Sequence, residues 1–109
     1  MTARLTASVL VGALIRKAQG EGGFAAVLAA GDPLAGAVIV VLAERGVKLL
    51  VLERILLSSG AYAWQETGNR EEDSADLVAR RRQFDPDLWV VEFDVACADS
   101  FAQEMNEVG

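Results

Sequence analysis

The sequence predicts an α+β domain: a mostly antiparallel sheet of about five strands, with helices packed on one face. Three observations predict it. Residues 37–44 and 47–55 are apolar runs rich in Val, Ile and Leu, divided at hairpin distance by Arg45-Gly46. Residues 88–95 alternate, with Trp89, Val91, Phe93 and Val95 on one side and Glu92 and Asp94 on the other. Just before them, Arg80-Arg81-Arg82-Gln83-Phe84-Asp85-Pro86 reads as a helix end. Cations suit the partly negative C-terminus of a helix, and Pro86 cannot continue it and pushes Asp85 toward an extended conformation.

The remaining elements follow in chain order. Residues 6–19 read as a helix, with Thr6 or Ser8 available as cap and the glycines at 20, 22 and 23 as its end. Residues 24–30 are short, alanine-rich and bounded by glycine, which favours a strand over a helix. The two central runs are apolar on both sides, the mark of strands covered on two faces. Ser58-Ser59-Gly60 supplies a turn, and residues 61–67 then place Tyr62, Trp64 and Glu66 on one side, as an edge strand would. A polar loop at Thr67-Gly68-Asn69 leads into Glu71-Glu72-Asp73-Ser74, where the acidic residues suit a helix N-terminus and Ser74 or an earlier polar residue serves as cap. Asp99 or Ser100 opens a short terminal helix through Phe101 and Met105. The order is α-β-β-β-β-α-β-α, in a single domain over residues 1–109. Three short helices leave one sheet face uncovered unless a helix crosses over or a second copy covers it. An exposed apolar face of that size marks an interface, which favours a homodimer.

Composition narrows the chemistry. The chain has no histidine, which removes Ser-His-Asp and Cys-His arrangements and every histidine-containing metal site. Cys97 is the only cysteine, so no intrachain disulfide or cysteine-cluster zinc site exists, and it reads as an inert, partly buried small residue. No cofactor and no metal ligand set is expected. The net charge of −6 is uneven: residues 1–54 carry +2 and residues 55–109 carry −8. Nothing resembles the basic face that a phosphate backbone requires, so nucleic acid is not expected as a partner. The apolar stretch near the N-terminus is too short to span a bilayer and lacks the flanks of a signal peptide. A cytoplasmic, non-membrane protein is the expectation.

The candidate binding residues are the polar and aromatic groups most entwined with apolar segments: Arg16, Arg54, Arg80, Trp64, Asp85, Asp87 and Glu92, with Glu53 beside them. One reading makes them structural, with Arg80 or Arg81 pairing to Asp85, Asp87 or Glu92 across the short joint at Pro86. The other has the arginines converge on a small anionic ligand or a partner's carboxylate, with Trp64 or Trp89 as a stacking wall. Trp89 itself reads as core. The glycines of Gly20-Glu21-Gly22-Gly23 form no phosphate loop, because they follow a helix and lack the lysine and hydroxyl of one.

The chain resembles a small bacterial family, the domain of unknown function fourteen-ninety-one. The resemblance rests on Ala13-Leu14-Ile15-Arg16, Gly22-Gly23-Phe24-Ala25, Gly31-Asp32, Gly36, Glu53-Arg54 and Trp64. Its most specific part is Ala79-Arg80-Arg81 followed by Asp85-Pro86-Asp87-Leu88-Trp89-Val90-Val91-Glu92. It implies no activity and transfers no catalytic residue. The element order is also similar to that of the restriction-nuclease-like core, with Asp32 and Glu53 as its acidic residues. There, acidic groups hold a divalent cation and a lysine stands near the attacking water. Here Arg54 follows Glu53 directly, where an intervening residue and a lysine are wanted, and the chain is acidic. The sequence therefore favours a small non-enzymatic interaction or ligand-binding module. An enzyme using carboxylates and arginine, or a metal-dependent nuclease-like core, is the alternative.

Overall fold

A computed structural model describes residues 5–68 and 73–106. Its elements are α1 (Ala7–Gly20), β1 (Phe24–Ala29), β2 (Val38–Glu44), β3 (Val47–Leu56), β4 (Tyr62–Glu66), α2 (Ser74–Phe84), β5 (Trp89–Asp94) and α3 (Ala98–Met105). The expected acidic lead-in at Glu71-Glu72 and the loop residue Asn69 lie outside the described residues. No helix among the described residues is long and apolar enough to cross a membrane.

Two features of the sheet differ from the expectation. The strand order is β1-β5-β2-β3-β4, and β5 runs parallel to β2 while its other neighbour, β1, is antiparallel. The sheet is therefore mixed, not simply antiparallel. The cause is α2: an eleven-residue helix between β4 and β5 carries the chain back across the sheet, which is what a parallel neighbour requires. The same crossover corrects the placement of the helices. α1 and α3 pack Leu10, Leu14, Phe101 and Met105 against one face, beside Val40, Leu42, Leu52, Val91 and Phe93. α2 lies on the opposite face, where Val78 packs against a buried cluster that includes Ile39, Val41 and Val90. The two-sided apolar character of β2 is thus satisfied within one chain, and six of its seven residues are buried.

Helix ends are satisfied partly by tertiary contacts. Thr6 occupies the N-cap of α1 without a side-chain bond. The Ala7 and Ser8 amides instead donate to the carbonyls of Leu34 and Pro33, at 3.3 and 3.0 Å. Asp73 caps α2 by accepting from the Ala75 amide at 2.8 Å. The β2–β3 turn has positive φ at both Arg45 (51°) and Gly46 (81°), which fits a two-residue hairpin of the primed type. The Asp94 carboxylate accepts both turn amides, at 3.0 and 2.7 Å.

The tightest junction joins the β1–β2 connection to the α2–β5 joint. The Asp32 amide donates to the Asp87 carbonyl at 3.0 Å, and the Trp89 indole Nε1 donates to the Asp32 carbonyl at 2.7 Å. A Cβ on Gly31 would stand 2.0 Å from the Asp87 carbonyl oxygen, and one on Gly36 would stand 2.5 Å from the same atom. Both contacts are with backbone, which cannot yield as a flexible side chain would. Trp89 is therefore a half-buried strut that also packs on the main core, rather than a fully buried core residue.

Two outcomes test this junction. Gly31→Ala and Gly36→Ala should each cost roughly 1–3 kcal/mol in urea denaturation, the scale of overpacking. Gly20→Ala, with nothing within 4 Å of the added carbon, should be neutral or stabilising. Equal midpoints for all three variants would show that the junction is not rigid. The second outcome concerns acid. The Ala35 amide, and after it the Leu34 amide, hold the Asp32 carboxyl below its ordinary value. A depressed pKa contributes stability that is complete above the unfolded value near pH 4 and is lost as pH falls through the folded value. Asp32→Asn should therefore flatten the acid limb of the stability curve below about pH 4. An unchanged limb on chemical denaturation would contradict this.

Candidate functional site

The candidate residues do not form one constellation. The sheet register puts Arg54 opposite Trp64 on the face covered by α1 and α3. The Arg54 guanidinium lies over the Tyr62 ring, 3.9 Å from its centroid, a cation–π geometry. Arg16 is exposed on α1, its guanidinium turned along its own helix toward Gly12. Arg80 is exposed on α2. Asp85 and Asp87 sit at the α2–β5 joint, where the Asp87 amide donates to the Asp85 carboxylate at 3.2 Å. Glu92 points to the α2 face, 3.8 Å from the Lys48 ammonium.

Of the two arginines expected to pair across the Pro86 joint, Arg81 pairs instead with a partner on the sheet. Arg81 forks onto Glu53 of β3: one guanidinium nitrogen is 3.2 Å from one carboxylate oxygen and the other makes a shorter contact. Hydrogen bonding to Glu53 holds the Arg81 guanidinium above its ordinary pKa, against partial burial, with weaker attraction from Asp85. The correction has a geometric reason. The last turn of α2 lies over the sheet, so its inward arginine meets β3 before it reaches the joint. Glu53 is thereby engaged as the acceptor of the Arg81 guanidinium. Among the described residues no group of three or more acidic or cysteine side chains is placed to hold a metal ion. Cys97 is exposed at the N-cap of α3, contrary to the expectation of partial burial.

Among the described residues two concavities emerge that the sequence did not disclose. The first opens at the carboxyl ends of the parallel strands β2 and β5, has a volume of about 600 Å³, and is lined in part by Phe24, Glu44, Val47, Leu49 and Asp94. Such ends are where open sheets with a parallel pair present their crevices. Its carboxylates are committed: Asp94 to the hairpin amides, Glu44 to the Ala98 amide at 2.6 Å, and Glu21 to the Lys17 ammonium at 2.7 Å. The second lies between α2 and the sheet, has a volume of about 440 Å³, and is lined by Leu28, Val41, Lys48, Val78, Ala79 and Arg82 among others. The only signals for it were the small residues Ala75 and Ala79, one helical turn apart. The β1 bulge that frees Leu28 from the ladder has no such signal.

The Arg81–Glu53 fork is partly exposed, so its worth is modest. Arg81→Met should cost about 1–2 kcal/mol, because it strands a half-buried carboxylate. Arg81→Met with Glu53→Met should recover most of that loss. A double variant as unstable as the single one would show that packing, not charge, sets the cost.

Comparison with known proteins agrees with this architecture. No curated protein matches the chain. Its fold and sequence are similar to the crystal structure of a DUF1491 family protein from Caulobacter crescentus CB15. That match is 32% identical, covers 90% of this chain and 94% of that one, and has a TM-score of 0.81. The NMR structure of a DUF1491 family protein from the same organism gives 32% identity, coverage of 93% and 94%, and a TM-score of 0.77. The solution structure of a protein from A. tumefaciens gives 32%, coverage of 92% and 93%, and 0.73. Residues 5–103 match the family described as protein of unknown function (DUF1491), and the chain belongs to that family.

Proposed function

We propose that the chain is a non-enzymatic interaction module of the cytoplasm that pairs with a second copy of itself along β1. The observation that carries this reading is the asymmetry of the two sheet edges. β1 is an edge strand of six residues, Phe-Ala-Ala-Val-Leu-Ala, without a single charge. Phe24 on it is 77% exposed, and Val27 and Leu28 are about half exposed. The opposite edge, β4, carries Gln65 and Glu66, and the Asn106 side chain occupies the Trp64 amide. Edges open to pairing are usually blunted by charge, and β1 is not.

The partner argued here is a copy of the same chain. On a molecule of net charge −6, an uncharged strand is a place where two copies meet without like-charge repulsion from the strand itself. Antiparallel pairing of β1 with its copy about a two-fold axis would join two five-stranded sheets into one. This replaces the buried sheet face of the sequence expectation with a sheet edge, since α2 covers that face. The free thiol of Cys97 suits a reducing compartment. The engagement of Glu53, Glu44 and Asp94 in structural bonds supports a binding role over catalysis by carboxylates.

Sedimentation should give a monomer–dimer equilibrium in the micromolar range. Val27→Lys, which puts a charge on the edge, should move the protein to monomer while leaving its melting temperature within a few degrees. A mass that stays monomeric from low micromolar to high concentration would refute the reading.

A further inference from the structure

We infer that the groove between α2 and the sheet is a binding site for an amphipathic anion: one apolar tail carrying a single carboxylate or similar head. The floor is apolar and mixed in origin, with Val41 from the middle of the sheet, Val78 and Ala79 from α2, and Leu28 from β1. Its volume of about 440 Å³ falls within the roughly 300–1,000 Å³ usual for small-molecule sites. The groove stays open for a structural reason. α2 presents Ala75 and Ala79 to it where larger side chains would close the gap against the sheet, and the register shift between Val27 and Ala29 turns Leu28 out of the ladder and onto the groove wall.

Charge selects the ligand. Among the described residues, the two charged ones that line the groove are both cations, Lys48 from β3 and Arg82 from the last turn of α2. On a chain of net charge −6 this is a local reversal of sign. Lys48 has a carboxylate nearby, but Glu92 stands 3.8 Å away and the ammonium is nearly half exposed, so the contact is loose. Arg82 makes no hydrogen bond or ion pair among the described residues, whereas its neighbour Arg81 is consumed by Glu53. A guanidinium of that kind grips a carboxylate through two donors at once, with the ammonium as a second, weaker anchor. An acyl tail on the apolar floor with its head at Arg82 satisfies both halves of the site. A cationic amphiphile of equal length would bury the same tail and meet repulsion at the rim.

Titration calorimetry with decanoate and with decyltrimethylammonium on the intact protein separates these cases. Decanoate should bind with one site per chain, at least tenfold more tightly than the cation, and more weakly as salt is raised. Arg82→Gln, an exposed substitution that should leave the fold intact, should weaken decanoate about tenfold and leave the cation unchanged or improved. Ala79→Leu should fill the groove and abolish binding of both. Amide shifts in NMR spectra should centre on Val78, Ala79 and Leu28. Equal affinity for the two amphiphiles, full affinity in both variants, or shifts centred on Phe24 and Leu49 of the other cleft would each overturn the assignment. So would failure of decanoate to bind at all.

Discussion

The rest of the structure depends on a close approach of two backbones, between the Gly31–Gly36 connection and the carbonyl of Asp87. Three remote pieces of chain converge there. The first amides of α1 are satisfied by Pro33 and Leu34, the α2–β5 joint is held by the Asp32 amide, and the Trp89 indole reaches the Asp32 carbonyl. The approach is possible only because neither glycine has a side chain to push the Asp87 carbonyl away. With β5 started at that point, its register against β2 follows, Trp89 beside Val38 and Phe93 beside Leu42. The main core then closes by itself, with Phe93 against Phe101 at 5.4 Å between ring centroids.

The crossover through α2 resolves the arithmetic of faces and elements. A strand such as β2, buried along almost its whole length, needs cover on both sides, and α2 supplies the second side at low density. Of its residues only Leu77 is fully buried, with Val78 partly so. The helix is held to the sheet by the Arg81–Glu53 fork as well as by apolar area, while Asp73 caps only its own first turn. A helix tied to the sheet by a fork in its last turn need not be packed tightly along its length, and the groove is the space that results. The Lys17 ammonium plays a comparable tying part on the other face. It joins Glu21 of the α1 cap to Glu104 of α3, and these carboxylates, Glu104 foremost, hold it above its ordinary pKa.

The legible part of this fold was its local grammar. Alternation fixed β5, the Arg45-Gly46 dipeptide fixed the hairpin, and Pro86 fixed the start of the last strand, because each signal acts within a few residues. The illegible part was long-range. Whether β5 lies at an edge or between β1 and β2 is decided by the Gly31–Asp87 contact, whose two halves are 56 positions apart in the sequence. The same distance problem hid the partner of Arg81: Asp85 and Asp87 were near in sequence, but Glu53 was near in space. The family motifs did contain the answer in another form. Gly31-Asp32, Gly36 and Asp85-Pro86-Asp87-Leu88-Trp89 are separate in the chain and are one junction in the fold. Their role here is therefore architectural, and the residues proposed to bear on binding lie elsewhere, at Phe24, Leu28, Lys48 and Arg82.

Those surfaces are not independent, because Leu28 belongs to both. It stands in the edge strand β1 and also lines the groove under α2. A ligand packed against Leu28 would restrain the bulge, and the bulge sets how flat an edge β1 offers to a second copy. Flat edges pair and strongly twisted ones do not, so the occupied and empty grooves would present different edges. Thermodynamic linkage then makes the coupling mutual: an anion that changes the dimer constant by some factor must itself bind the dimer and the monomer with affinities that differ to match. Among the described residues the edge strand and the groove share Leu28, so a change at one is felt at the other.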